Sequence, residues 1–250
     1  MTRFLATESE MNLSEAKLRP GSPRRAIWEF SIAYAMILLA LWTPLPWQRF
    51  VSLLALGWVI WSTSRSFDGW GAMGFRIKGV WRSAWVVCLA LALAACGVFI
   101  ASRLQTLHVP NSPLAFLSRY WSYTIWSFLQ EFLLLNFFLL RFLRLIANRH
   151  VAALTATTLF ALAHLPSPIL TALTLIWGFA ACEVFLHYRN IYIPAMGHAI
   201  LGICVAITIP GPVDHNMRVG LGYLTYREHH HHVSGFSAAR STTPYPLSHG

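Results

Sequence analysis

Glu131, His164 and His198 each lie inside a separate run of apolar residues long enough to sit in lipid. An ionised carboxylate at the centre of a membrane helix costs about 2.5–3.5 kcal/mol on insertion scales. Ionisable groups at such depth face a polar cavity or one another, and they carry function. A carboxylate and two imidazoles can hold and deprotonate a water molecule. They can do so as ligands of Zn2+ or another divalent metal with one open position, or without metal as base and oxyanion stabilisers. Both routes lead to hydrolysis of an acyl bond. The candidate metal ligands and the candidate catalytic residues are therefore the same three: Glu131, His164 and His198.

The surrounding sequence frames each one. Gln130, Glu131 and Asn136 are polar positions in the otherwise greasy WSFLQEFLLLNFFLLRFLRL. His164 stands beside a helix stop in TTLFALAHLPSP, and His198 is flanked by Gly197 and Ala199 in IPAMGHAILGI. Small residues at such positions let neighbouring helices approach closely.

The composition requires a lipid environment. The 250 residues are 56% apolar and 11% charged, with mean hydropathy +0.52, against about 25% charged residues in a soluble domain. The net charge of +10 would suit nucleic acid in a soluble protein. Here the basic residues fall between apolar runs, where the positive-inside rule accounts for them, so nucleic acid is not an expected partner. Cys88, Cys96, Cys182 and Cys204 lie within apolar runs without metal-type spacing and read as small buried hydrophobes.

A bilayer core takes about 20 apolar residues in helix, and by that ruler spans fall at 26–43, 48–63, 83–102, 118–142, 151–166, 168–187 and 191–210. The expectation is an all-α, multi-pass membrane bundle of about seven helices. The bundle covers residues 26–211, between a polar tail at 1–25 and a second, flexible one at 212–250. Arg19, Arg24 and Arg25 precede the first span. Arg65, Arg76, Lys78 and Arg82 lie between the second and third, Arg141, Arg144 and Arg149 between the fourth and fifth, and Arg189 between the sixth and seventh. The alternate loops hold only Arg49 and Arg103, with Arg119 opening span 4, so the amino terminus is expected in the cytoplasm. In a bacterium such a protein belongs to the inner membrane. Glu131 is ten residues before Arg141, His164 fifteen after Arg149 and His198 nine after Arg189. Those separations place them about 15, 22 and 13 Å from the cytoplasmic boundary. The three could therefore meet.

The motifs resemble those of the CPBP intramembrane endopeptidases, which include the CAAX prenyl endopeptidases and the bacterial Abi or bacteriocin-processing proteins. That family has Glu-Glu-x-x-x-Arg, then Phe-x-x-x-His, then His-x-x-x-Asn on successive core helices. At these places stand EFLLLN with Glu131 and Asn136, FALAH with Phe160 and His164, and HAILG with His198 and Gly202. FFLLR, HYRNIYIPAMGHA and MGFRIKGVW are similar too, for a coverage of about residues 72–206. The resemblance implies catalysis by Glu131, His164 and His198, with Gln130, Asn136, Phe160 and Gly202 in support. Three departures stand out: Phe132 replaces the motif's second Glu, Asn136 replaces its Arg, and Gly202 replaces its last Asn, whose side chain would help hold the oxyanion.

Other residues read as structural. Glu183 is a cavity-lining or snorkelling acid, and His187, Tyr188 and Arg189 form an interfacial anchor. Asp214, His215 and Asn216 follow Pro210 and Pro212 and could cap the outer mouth of the bundle. His229, His230, His231 and His232 read as a solvated tract, and Trp28, Trp61, Trp81 and Tyr120 as an interfacial belt. The functional expectation is an intramembrane endopeptidase acting on a membrane-anchored or lipid-modified protein or peptide in the bilayer. Its competitor is a non-catalytic member of the same scaffold, an immunity or accessory protein that binds a peptide without cutting it. A transporter ranks third, because the hydropathy shows no repeat.

Overall fold

The computed structural model describes residues 23–67, 69–77 and 79–226. Its elements in chain order are α1 (Pro23–Trp42), α2 (Trp47–Arg65), the short α3 (Val80–Ser83), α4 (Trp85–Arg103) and α5 (Pro113–Glu131). A π-helical segment (Phe132–Leu139) then leads into α6 (Leu140–Leu145), α7 (Arg149–Leu162), α8 (Pro168–Tyr188) and α9 (Tyr192–Thr208). Two four-residue helices follow, α10 (Gly211–Asp214) and α11 (Leu221–Leu224). No strand occurs among the described residues, and the fold is all-α.

Local chemistry sets the helix limits. α5 and α8 each open on a serine cap followed by proline: Ser112 Oγ accepts from Ala115 N–H at 3.2 Å and Ser167 Oγ from Leu170 N–H at 3.4 Å. Asn148 Oδ1 accepts from the N–H groups of His150 and Val151 to start α7. Asn190 starts α9 by accepting from Ile193 N–H at 3.1 Å, and its own amide donates to the Arg76 carbonyl at 2.6 Å. The Ile191 N–H donates to the Gly74 carbonyl beside it. Gly74 has a φ of +79°, and its missing Cβ leaves room for the Phe185 ring. Thus MGFR and YRNIY, far apart in sequence, lock together and fix where α9 begins.

Each apolar run coincides with helix. Three stretches, Pro23–Trp42, Val80–Arg103 and Pro168–Tyr188, are long and apolar enough to cross a membrane, and Tyr192–Thr208 is apolar but shorter. The outer surface carries large apolar side chains, among them Trp28, Leu53, Trp81, Leu114 and Ile176, as a lipid-facing surface must. The interior is centred on the π segment, whose Leu134, Leu135, Phe137, Phe138 and Leu139 pack with Ala152, Ala153, Ala156 and Phe185. In lipid, helices associate through close packing of small residues rather than through escape from water. The alanine face of α7, and Gly178 of α8 against Thr157 and Leu134, supply that closeness.

Several expectations are revised. Span 4 is not one α-helix: at Glu131 it changes pitch into eight residues of π-helix. Span 5 stops at Leu162, so His164 sits in the turn before Pro166 and Pro168 rather than within a helix. Residues 212–226 are not a loose tail. Asp214 is buried, and the Gly220 N–H donates to the Leu165 carbonyl at 2.9 Å, which straps this segment across the bundle. Arg24 and Arg25 belong to the first turn of α1. Cys182 is buried, but Cys88 and Cys96 are exposed, because the outward side of α4 has no neighbouring helix to cover it. Arg19, Lys78 and His229 to His232 lie outside the described residues.

Candidate functional site

Glu131 is the last residue of α5 and is fully buried, at 0% exposure. Its Oε1 accepts two hydrogen bonds, from His198 Nδ1 at 2.9 Å and from Trp177 Nε1 at 2.8 Å. Its Oε2 is buried and has no partner among the described residues. One carboxylate oxygen is thus clamped while the other is left without a partner among the described residues. The change of pitch begins at the next residue, and π segments recur where a helix must aim a functional side chain.

These bonds fix the imidazole tautomers. His198 Nδ1 faces a carboxylate oxygen, so it carries the proton and leaves a lone pair on Nε2. His164 Nδ1 donates to the Phe160 carbonyl at 2.9 Å, and the Phe160 ring meets the imidazole edge-on at 5.1 Å. Its Nε2 is likewise an acceptor. The structure therefore joins Glu131 to His198 directly, and Phe160 orients His164. The site offers three acceptors: Glu131 Oε2 and two Nε2 atoms.

The anticipated supporting residues divide. Phe160 orients His164. Gln130 is half-buried and makes no hydrogen bond with the described residues. Asn136 is buried, and both its amide atoms are without a partner among the described residues. It lines a separate pocket, with room for about one water, alongside Thr63, Ser66, Leu140, Arg141 and Arg144. Gly202, one turn beyond His198 on α9, leaves a notch filled by the phenol of Tyr123. Gly197 leaves a matching notch filled by the indole of Trp177.

As a metal site the trio is not assembled. Glu131 Oε1 and His198 Nδ1 engage one another, and no three His, Cys, Asp or Glu side chains among the described residues stand at metal-binding spacing. Glu183 lies apart from the centre. It accepts from His150 Nδ1 at 2.8 Å on the exposed ends of α7 and α8. His187 packs edge-on to Tyr188, whose hydroxyl accepts from Trp85 Nε1 at 3.2 Å. His215 is stacked between Tyr223 and Tyr226, with ring centroids at 3.9 and 5.0 Å.

Sequence reasoning missed three groups. Trp177 looked like one more apolar residue of span 6. Tyr123, Ser127 and Glu131 follow the i, i+4, i+8 spacing of one helix face, a signal that was there to read. Glu29 is an acid inside the first apolar run, and it had to meet a cation. It accepts from Arg141 Nη2 at 3.0 Å and from Arg25 Nε at 2.7 Å. Arg141 also donates to Ser62 Oγ at 2.6 Å and to the Phe137 carbonyl at 3.0 Å, and it stacks 3.7 Å from the Phe137 ring.

Neither a curated protein nor a solved structure matches the chain. A family model does, over residues 113–204, and its description is type II CAAX prenyl endopeptidase Rce1-like. The match takes in all three motifs and leaves MGFRIKGVW outside it. The segment that carries Glu131, His164 and His198 is thus similar to the Rce1-like family of CAAX-type proteases.

Proposed function

We propose that the protein is an intramembrane endopeptidase that uses a water molecule activated by Glu131 and His198. The substrate is a membrane-anchored or lipid-modified protein tail, or a short amphipathic peptide, entering from the cytoplasmic side. Seven crossings with a cytoplasmic amino terminus suit this reading, because they put Glu131, His198 and His164 at comparable depths.

The observation that carries the proposal is the clamped carboxylate. Trp177 and His198 hold Glu131 Oε1, which leaves Oε2 without a partner among the described residues. A water donating to Oε2 is polarised for attack on a peptide carbonyl, and its proton passes to the carboxylate. The Nδ1–H that His198 donates to Oε1 holds the carboxylate in place while Oε2 takes up the proton. His164, with Nε2 unprotonated, is placed to receive a proton or to bond the leaving amine on its way out. The route needs no metal ion, which accords with the direct Glu131–His198 bond.

The test is cleavage of quenched reporter peptides by purified protein in detergent or liposomes. Glu131→Gln, His164→Ala and His198→Ala each abolish turnover, and excess chelator leaves it intact. Cleavage by any of the three well-folded variants removes that residue from the mechanism, and cleavage by Glu131→Gln ends the hydrolase reading. Loss of cleavage on chelation, restored by Zn2+, replaces the metal-free route with a metal-dependent one.

A further inference from the structure

Among the described residues, the free hydrogen-bonding atoms named at this centre are acceptors. Glu131 Oε2, His164 Nε2 and His198 Nε2 all present lone pairs, and the Trp177 N–H is engaged with Glu131. Attack of water on a carbonyl concentrates negative charge on the carbonyl oxygen, and that oxygen needs a donor at hydrogen-bond distance. His198 and Gly202 are one turn apart on α9. A Cβ at Gly202 would coincide with the hydroxyl of Tyr123, and the phenol ring lies against the bare helix. The adjacent Ser127 hydroxyl donates to the Tyr123 carbonyl at 2.9 Å, so the serine proton is already engaged. By rise along the helices, Gly202 lies about 6 Å beyond His198, on the His164 side of the centre.

We propose that the Tyr123 hydroxyl is the oxyanion donor of this site, admitted to it by the absence of a side chain at Gly202. The proposal rests on the hydrolase reading above. Water oxygen bonds to the carbonyl carbon and its proton moves to Glu131. The carbonyl π pair becomes the oxyanion, which accepts a hydrogen bond from Tyr123 without taking its proton. On collapse the carbon–nitrogen bond breaks, and the proton held by Glu131 passes to the departing amine.

A packing role alone makes a different prediction, because phenylalanine fills the same notch without a hydroxyl. Tyr123→Phe is expected to lower kcat about 10²–10³-fold with KM nearly unchanged. Tyr123→Ala is expected to fall as far, and Tyr123→Ala combined with Gly202→Asn to recover activity, since the asparagine then occupies the vacated notch with an amide donor. A second readout needs no turnover. Wild type should bind a peptide phosphinate, whose tetrahedral oxyanion mimics the intermediate, more tightly than the parent peptide, and Tyr123→Phe should lose that preference. Wild-type kcat in Tyr123→Phe, or equal phosphinate preference in both proteins, overturns the assignment while leaving Glu131 chemistry standing if Glu131→Gln is dead. Cleavage by Glu131→Gln sinks the hydrolase reading itself. Absence of both cleavage and phosphinate preference in wild type overturns both.

Discussion

Replacing Arg141 by methionine keeps most of the side-chain stem and removes the charge that binds α1, α2 and the end of the π segment together. Arg141 is 2% exposed, and its guanidinium reaches Glu29, Ser62 and the Phe137 carbonyl at once. Removing one member of a buried pair costs about 3–5 kcal/mol, because the other charge is left uncompensated. Arg25 still reaches Glu29 at 2.7 Å, but its side chain is 45% exposed, and exposed pairs are worth about 0–1 kcal/mol. The expected loss is therefore about 2–4 kcal/mol. Glu29→Gln combined with Arg141→Met should cost less than the two single changes added together. The shortfall should be about 1.5–3 kcal/mol, the value of a hydrogen bond to a charged group. Denaturant or SDS unfolding in micelles, followed by tryptophan fluorescence, measures all three variants against wild type. A loss under about 1 kcal/mol in Arg141→Met, or strict additivity in the double variant, refutes the clamp. The consequence reaches the site, since Arg141 holds the Phe137 carbonyl inside the segment that starts at Glu131.

Two further outcomes are expected. Asn136 and Thr63 have buried, unpartnered polar atoms beside a pocket of water size, so a bridging water is expected there and Asn136→Leu should cost about 1 kcal/mol. A gain in stability on the same unfolding assay would show the pocket to be dry. Burial raises the carboxyl pKa of Asp214 above its ordinary value, although the Asn216 and Met217 N–H groups and the charge of His108 pull the other way. A raised folded pKa means that the contribution of Asp214 is complete at pH values below the ordinary carboxyl range and is lost as pH rises through the folded value. The Tm of Asp214→Asn relative to wild type should therefore climb between pH 4 and pH 8, and parallel Tm curves would contradict it.

Sequence alone determined the helical rods, because the information is local. Apolar length, the Ser-Pro starts at Ser112 and Ser167, and the Asn caps at Asn148 and Asn190 specify where helices begin whatever surrounds them. It also picked out Glu131, His164 and His198, since ionisable groups in oil are costly enough to need a reason. Which atoms face one another was a matter for tertiary structure. The change of pitch at Phe132, the Trp177 bond to Glu131 across 46 residues, the meeting of Glu29 with Arg141 across 112, and the place of Asn136 in a pocket with Thr63 and Arg141 all depend on how helices rotate and cross. Rotation and crossing are set by close packing of small residues from remote parts of the chain, such as Gly197 under Trp177 and Gly202 under Tyr123. A glycine in sequence announces only that space is left; the fold decides which side chain fills it.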